Sequence, residues 1–532
     1  MSTEKTCQGR GGDGKPNPIE VDQLFSFKKV GAREIKRAIH NMENKTSVGT
    51  DGIPITVIKQ ALPVLVMVLA KLANAIISKS KWPREWKCAT VIPTPKKGKP
   101  KNLLSSLRPI SLLCAISKLM EAILEDQFSS YVEENVLPDQ QHAYREGRSV
   151  DTAISMTAFY LEEFKSKGLK RIGSAFDYSS AFDTMDPELL LEMFAPFMDS
   201  RSLDLLGDYF NGATQLVKWN DSYSNELPVR YGVRQGSILG PTLFITFISQ
   251  VYKYCLDGLE NAAMIGYADD NNGLVGTPKT EAPEEKTELL TARLVAFSAR
   301  HGLALNASKT QIMAPPNTTE IRAGDTNITP GPTLEVLNTV FEYSGRFTQQ
   351  NEIIAKDLTR RVGQVRRLTP HIPRGRLLRE IGNALVIGKA NCTSWVTREA
   401  RLSKPTTPKQ HVGQVALNDL ARVLTGHTRR EHIPISQLTS KANVPTFNEI
   451  IVKRASVEAW KAVNGGALKH LLELPSSSTR ATNMGLVRSR NDALACLNMR
   501  NCWNASPALR EAKTIGAAKR AAKLLASEVR NY

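Results

Sequence analysis

Cysteine is scarce and unpatterned in this chain. Seven residues in 532 (Cys7, Cys88, Cys114, Cys255, Cys392, Cys496 and Cys502) form no CxxC pair and no Cys/His ligand spacing. That excludes a disulfide scaffold and argues against a structural zinc site; the thiols are expected to be reduced, as in an intracellular protein. The opening residues, Met1 to Glu20, are polar and rich in glycine and proline, without the apolar centre of a signal peptide. Long hydrophobic runs are also missing. The most apolar stretch, Ala61 to Ile77, is interrupted by Pro63 and Lys71 and is short for a membrane span, so a buried helix is expected and no membrane partner. No internal repeat and no coiled-coil heptad run is present.

Acidic residues are lacking in one half only. Residues 351–532 carry 31 Lys and Arg against 12 Asp and Glu, whereas residues 1–350 carry 39 against 40. A neutral front and a strongly basic back favour a polyanionic partner, of which nucleic acid is the commonest. At 532 residues, with 41% hydrophobic and 23% charged, the chain is expected to fold as two to four packed units with ample core.

Along the chain, residues 1–24 read as a disordered leader. A helical pattern covers Lys29 to Met42, and Val91 to Pro100 reads as a strand running into a basic, Pro/Gly-broken loop. Leu107 to Leu124 holds Arg108-Pro109-Ile110-Ser111 and then a helix. Strand-like segments fall at Ile172–Asp177, Leu216–Lys218, Leu227–Val233 and Met264–Tyr267, with helices between; that mixture predicts an α+β body. Beyond residue 350 the pattern is almost wholly helical. Ser403 to Gln410 and Leu474 to Thr482 read as linkers, and Ser506 to Tyr532 as a basic helix with an N-terminal cap and a proline at its first position.

The residues with the most chemical content are carboxylates. Tyr267-Ala268-Asp269-Asp270 sets two acids side by side at a strand–turn–strand, and Asp177 lies far upstream at the end of an apolar strand. Adjacent buried carboxylates are unfavourable unless cations neutralise them. Mg²⁺ takes oxygen ligands and leaves positions for substrate phosphates. Two such ions, held by Asp177 and Asp269, would clamp the attacking and leaving oxygens of a phosphoryl transfer, which makes a nucleotide polymerase the first hypothesis. In the basic half, Ile354, Leu358, Val362, Val365 and Leu368 share one helical face. Lys356, Arg360, Arg366 and Arg367 share another, as in a helix that tracks a phosphate backbone.

Company in a fixed order raises the carboxylates above coincidence. From about Phe25 to about Thr369 the chain resembles the reverse transcriptases of non-LTR (LINE-type) retrotransposons, and a weaker likeness continues to about Asn464. The resemblance implies a right-hand polymerase of fingers, palm with antiparallel sheet, and helical thumb, followed by a basic helical C-terminal region. The domains it suggests are a leader (1–24), an N-terminal helical extension (25–90), fingers and palm (91–350), a thumb (351–402) and the basic region (403–532). It further implies RNA-templated DNA synthesis with RNA template, DNA primer and dNTPs as partners, and two Mg²⁺ ions, for which Mn²⁺ can substitute.

The carry-over to residues follows the motifs. Lys45 to Pro54 resembles the entry segment before the fingers. Lys96 and Leu107-Arg108-Pro109-Ile110-Ser111 resemble the strands that hold the triphosphate, which needs a guanidinium fork and an ammonium. Gln141 to Ser149, with Arg145 and Arg148, is similar to the segment that touches the template, although Tyr144 stands where phenylalanine is usual. In Phe176 to Asp183, Asp177 matches the metal ligand, the Tyr178 carbonyl a second ligand, and Phe182 the ring that blocks a ribose 2′-OH. Asp183 completes the signature without being a ligand. Gln235 and Gly236, in Gly232 to Pro241, match the pair beside the nascent base pair. Lys309, in Gly302 to Thr310, matches a general acid for the pyrophosphate. Glu342-Tyr343-Ser344-Gly345 stands at the primer grip, with Ser344 where leucine is usual.

Plainer readings exist for single residues. Lys96 sits in a lysine run that a solvated loop would explain, Arg108 and Lys309 could be ordinary surface cations, and Phe182 would be core in most folds. The rivals for the whole are a non-catalytic nucleic-acid-binding relic of a retroelement and an RNA-dependent RNA polymerase; intact Asp177, Asp269 and Asp270 oppose the first and Phe182 the second. With no endonuclease upstream of Phe25, no RNase H carboxylate set and no zinc knuckle, a truncated element product is expected, its nicking activity coming from elsewhere. The expected location is the nucleus or cytoplasm.

Overall fold

The computed structural model describes residues 15–530 except 97, 99, 101, 393, 404–412, 470 and 472–493. Both linkers expected from the sequence fall mainly on the excluded stretches, as does most of the leader. The elements that matter here are, in chain order, helices α1 (Ala32–Asn41), α2 (Ile55–Lys79), α3 (Ala115–Asn135), α4 (Val150–Ser166), α5 (Gly240–Phe247), α6 (Pro283–Arg300), α7 (Thr348–Leu368), α8 (Gln414–Thr425), α9 (Phe447–Val463), α10 (Leu494–Ala505) and α11 (Ile515–Glu528). The strands are β1 (Cys88–Pro95), β2 (Leu107–Leu112), β3 (Lys170–Phe176), β4 (Thr214–Trp219), β5 (Ala262–Tyr267), β6 (Asp270–Thr277), β7 (Gln311–Met313), β8 (Thr333–Val336) and β9 (Thr339–Glu342). The α+β expectation holds. The chain divides into two compact units, one of residues 1–144, 177–258 and 289–308, the other of residues 145–176, 259–288 and 309–532.

In the first unit β1 lies between β2, antiparallel with Thr94 opposite Arg108, and β4, parallel with Cys88 opposite Thr214. Helix α3 supplies Leu119, Phe128 and Val132 to the core, each fully buried. Gly31 is the N-cap of α1 and its N–H donates to Glu34 Oε2 at 2.9 Å, the half of a capping box that needs no N-cap side chain. Two expectations are corrected here. The apolar helix is not a buried one: α2 hides Ile58, Leu69, Ala73 and Ile76, but Val64, Met67 and Val68 on its other side are 77%, 58% and 58% exposed. Composition is apolar all round, and burial is decided by which side the neighbouring helices cover. By length and composition it is also the one helix among the described residues apolar enough to cross a membrane. The strand expected over Leu227–Val233 is only Leu227–Pro228. Beyond it Gly232, at φ 85°, and Val233 turn their N–H groups to the carbonyls of Met185 and Phe182.

The second unit is built on a four-stranded antiparallel sheet in the order β5-β6-β3-β7. Its core is continuous. Ile154, Leu161 and Phe164 of α4, Ile265 and Leu274 of the sheet, Leu334 and Phe341 of the β8–β9 hairpin and Leu358 and Val362 of α7 join Leu420, Phe447 and Ile451 from α8 and α9. Each fully buried side chain of this size contributes about 1.5–3 kcal/mol. Ser149 caps α4 through reciprocal bonds with Thr152, and Thr446 caps α9 with Glu449 in the same way. The seam of α7 is as the spacing predicts: Ile354, Leu358, Val362 and Val365 are buried, while Lys356, Arg360, Arg366 and Arg367 are exposed. The expected helix from Ser506 onward is interrupted. Pro507–Arg510 is a single turn and α11 starts afresh at Ile515, because Thr514 takes an extended conformation and caps it, while the Trp460 indole N–H takes the Ala512 carbonyl at 2.8 Å.

Candidate active site

The two adjacent aspartates sit on a tight hairpin of the second unit. Tyr267 and Asp270 are the last register pair of β5 and β6, which leaves a two-residue loop of Ala268 and Asp269. Ala268 is held at φ 56°, a left-handed conformation that costs a residue with a Cβ about 1–2 kcal/mol. Such strain, fixed by a sheet on both sides, is characteristic of functional turns. Asp269 is half-buried and Asp270 exposed. The next residue, Asn271, is buried and donates from Nδ2 to the Asp269 carbonyl at 3.3 Å, bracing the turn from below. Central strand β3 runs antiparallel to β6 and ends at Phe176, opposite Asn271. The strand end and the hairpin loop thus share one edge of the sheet, and Asp177 is the residue that follows Phe176 in the chain.

In the first unit the backbone after Asp177 is pinned to the segment expected to carry the general acid. The Asp177 carbonyl accepts the Asn306 N–H at 2.7 Å and the Ser179 N–H donates to the Ala304 carbonyl at 2.8 Å. Tyr178 is therefore paired with Leu305 in the geometry that turns its own N–H and C=O to the opposite side. Its side chain is buried, with the hydroxyl 3.1 Å from Ser298 Oγ. Asp177 is half-buried.

The residues expected around the nucleotide gather in this same unit. Phe182 stacks on Phe244 of α5, centroids 4.1 Å apart, and meets Tyr144 edge-on at 6.4 Å, so its ring is oriented by two others. Gln235 donates from Nε2 to both carboxylate oxygens of Asp183, at 2.9 and 3.1 Å. Burial pushes the Asp183 carboxyl up, while its bond with Gln235 and the charge of Lys96 pull it down. The Gln235 carbonyl accepts the Ser111 N–H of β2 at 2.7 Å. Gly236, at φ 129°, is required by that contact: a Cβ here would lie 2.4 Å from the Ser111 carbonyl oxygen. The close approach is thus to protein backbone. On the β1–β2 hairpin, Lys96 is half-buried, its N–H donating to the Ser106 carbonyl at 2.7 Å, and Arg108 is exposed.

Elsewhere in the second unit, Lys309 is exposed on a turn, Arg148 is half-buried, and Arg145 is buried at 9% exposure rather than offered to solvent. At the expected primer grip, Arg171 donates to the Tyr343 carbonyl and lies over its ring at 5.2 Å.

Three participants were missed in the sequence. Glu121 of α3 is wholly buried and accepts the Ile238 N–H at 2.6 Å and the Tyr209 hydroxyl at 3.0 Å; burial pushes its carboxyl up. Phe244 and Asn271 are the others. None stands in a pattern that a sequence displays, since each is defined by a partner more than 50 residues away or by burial.

Among the described residues no group of three or more His, Cys, Asp or Glu side chains is gathered closely enough to hold a metal ion. The fit to a hard divalent cation therefore rests on donor chemistry: carboxylates at the hairpin, a carboxylate at the end of β3 and a backbone carbonyl, all oxygen.

Residues 94–367 match the family model described as reverse transcriptase (RNA-dependent DNA polymerase). A probable RNA-directed DNA polymerase from transposon BS of Drosophila melanogaster is 31% identical over 306 residues, 56% of this chain and 33% of the relative. A putative 115 kDa protein in the type-1 retrotransposable element R1DM of the same organism is 29% identical, over 53% of this chain and 27% of the relative. The RNA-directed DNA polymerase from mobile element jockey, again of Drosophila melanogaster, is 27% identical, over 45% and 27%. The chain spans a third or less of the length of these relatives. With its family model matched over more than half its residues, the chain belongs to the reverse transcriptase family, divalent-metal-dependent polymerases that work on a nucleic-acid template and primer with dNTPs.

Proposed function

We propose that this chain is the RNA-directed DNA polymerase of a non-LTR retrotransposon, adding dNTPs to a primer 3′-OH. In this reading β1 and β2 belong to the fingers, the four-stranded sheet with its hairpin is the palm, and α7 opens the thumb. The observation that carries it is the sheet register: β3 stops at Phe176 opposite Asn271, so Asp177 leaves the sheet at the edge where Asp269 and Asp270 turn.

Asp177, Asp269, Asp270 and the Tyr178 carbonyl would hold two Mg²⁺ ions. When bound, these supply charge stabilisation for the attacking hydroxyl and the departing pyrophosphate, and Mn²⁺ can replace them. Lys96 and Arg108 bind the triphosphate, and Lys309 donates a proton to the pyrophosphate oxygen. The Phe182 ring, held between Phe244 and Tyr144, closes the space a 2′-OH would need. Asp183 orients Gln235 beside the nascent pair. Arg148, Lys356, Arg360, Arg366 and Arg367 are assigned to the nucleic acid, and Arg145, being buried, is withdrawn from that set. The proposed setting is intracellular, in nucleus or cytoplasm.

The test uses purified protein, poly(rA)/oligo(dT), Mg²⁺ and either dTTP or UTP. Extension with dTTP that disappears in Asp269→Ala supports the reading. Comparable extension with UTP would make the enzyme an RNA polymerase, and binding without extension a non-catalytic relic.

A further inference from the structure

The basic half of the chain contains a cleft of about 440 Å³ to which one of the expected thumb residues, Arg366, contributes. It lies in the second unit between the end of α7 and the end of α8, and four arginines line it: Arg366, Arg374, Arg422 and Arg429. The single lining carboxylate is Asp419, and it is fully committed. Its Oδ1 accepts from Arg422 Nη1 at 2.9 Å and Arg429 Nε at 3.2 Å, and its Oδ2 from Arg429 Nη2 at 2.5 Å. Four guanidinium charges against one carboxylate leave a net excess of three in one concavity.

Two details suit an anionic ligand. Arg374 and Arg429 are both exposed and line the cleft, so their guanidiniums are open to what enters it. Two of the carbonyls at the C-terminal end of α8, which would repel an anion, are already taken: Val423 by Arg374 Nε at 3.4 Å, and Arg422 by the N–H groups of Gly426 and His427 at 2.8 and 3.1 Å. Asp419 meanwhile holds Arg429 in its fork geometry, so that a side chain 68% exposed is pre-oriented. Rigid, forked guanidiniums around a polar concavity match the oxygens of a phosphate.

We propose that this cleft binds a phosphodiester of the nucleic-acid strand, through residues that mostly lie beyond the family match, which ends at residue 367. The polymerase reading enters only in naming nucleic acid as the polyanion.

The experiment measures binding of a fluorescent poly(rA)/oligo(dT) hybrid to the full chain by anisotropy between 50 and 200 mM salt. Arg374→Gln and Arg374→Gln/Arg429→Gln remove guanidiniums at the mouth of the cleft, so the fold is expected to persist, and thermal melting checks that it does. The double variant is expected to bind on the order of tenfold more weakly, with its log–log salt slope shallower by about 0.7–0.9 for each phosphate it no longer neutralises. Arg374→Lys is expected to restore the slope and part of the affinity. An unchanged slope, with or without a fall in affinity, overturns the proposal. So does calorimetry in which the variants cease to bind inorganic phosphate or pyrophosphate while hybrid binding is kept, since the site would then serve a free anion. Extension is scored separately: hybrid bound through the cleft without any extension upholds this inference and removes the polymerase reading.

Discussion

Glu121 accepts the backbone N–H of Ile238 at 2.6 Å, and that bond ties a wholly buried carboxyl to the loop that presents Gln235 and Gly236. The Tyr209 hydroxyl reaches its other oxygen. The Ile238 N–H can only donate, whereas the Tyr209 hydroxyl can donate or accept.

Glu121→Gln keeps an acceptor for the Ile238 N–H and lets its amide donate to the Tyr209 hydroxyl, so it is expected to fold, with stability at low pH changed by about 1 kcal/mol or less. Burial raises this carboxyl in the folded state. A carboxyl whose folded pKa is the higher one adds stability that is complete below the ordinary carboxylate range and is lost as pH rises through the folded value. The melting midpoint of the unmutated protein should therefore fall across that window, and the glutamine variant should flatten the fall. Identical pH profiles for the two proteins would refute the assignment.

Phe182→Ala is expected to lower discrimination between dTTP and UTP by at least about tenfold, since it opens the space closed by the ring. Phe244→Ala, which removes the ring on which Phe182 stacks, should do the same more weakly. The measurement is the ratio of kcat/KM for the two nucleotides. A ratio unmoved by Phe182→Ala assigns that ring to packing alone.

Gly236→Ala combines a φ of 129° with a Cβ 2.4 Å from the Ser111 oxygen. The local conformation alone costs about 1–3 kcal/mol. The loop must therefore separate from β2, and the KM for dNTP should rise more than the melting midpoint falls. Unaltered kinetics in a folded variant would mean that the loop tolerates the displacement.

Chelation of divalent ions with EDTA is expected to abolish extension, with Mg²⁺ restoring it fully and Mn²⁺ at least in part. Metal-independent extension would dismiss the carboxylate assignment.

Much of the architecture was legible along the chain because it rests on local rules. The α7 seam follows from 3.6-residue spacing, and the hairpin from two strands flanking a two-residue loop. The misreadings were long-range. Leu227–Val233 alternates like a strand, yet its backbone bonds go to Met185 and Phe182, over 40 residues upstream. Ser506–Tyr532 has the composition of one helix, but Trp460 takes a carbonyl in its middle.

The same division runs through the site. Carboxylates, rings and cations are identities, and the chain order of Asp177, Phe182, Gln235, Asp269 and Lys309 carries the resemblance from which the proposed chemistry is drawn. Folding alone decided which backbone holds which loop, that Asp183 is spent on Gln235, that Arg145 is buried, and that four arginines of the basic half surround one cleft. Identity is carried by single residues, whereas burial and pairing belong to residues far apart in the chain that only packing brings together.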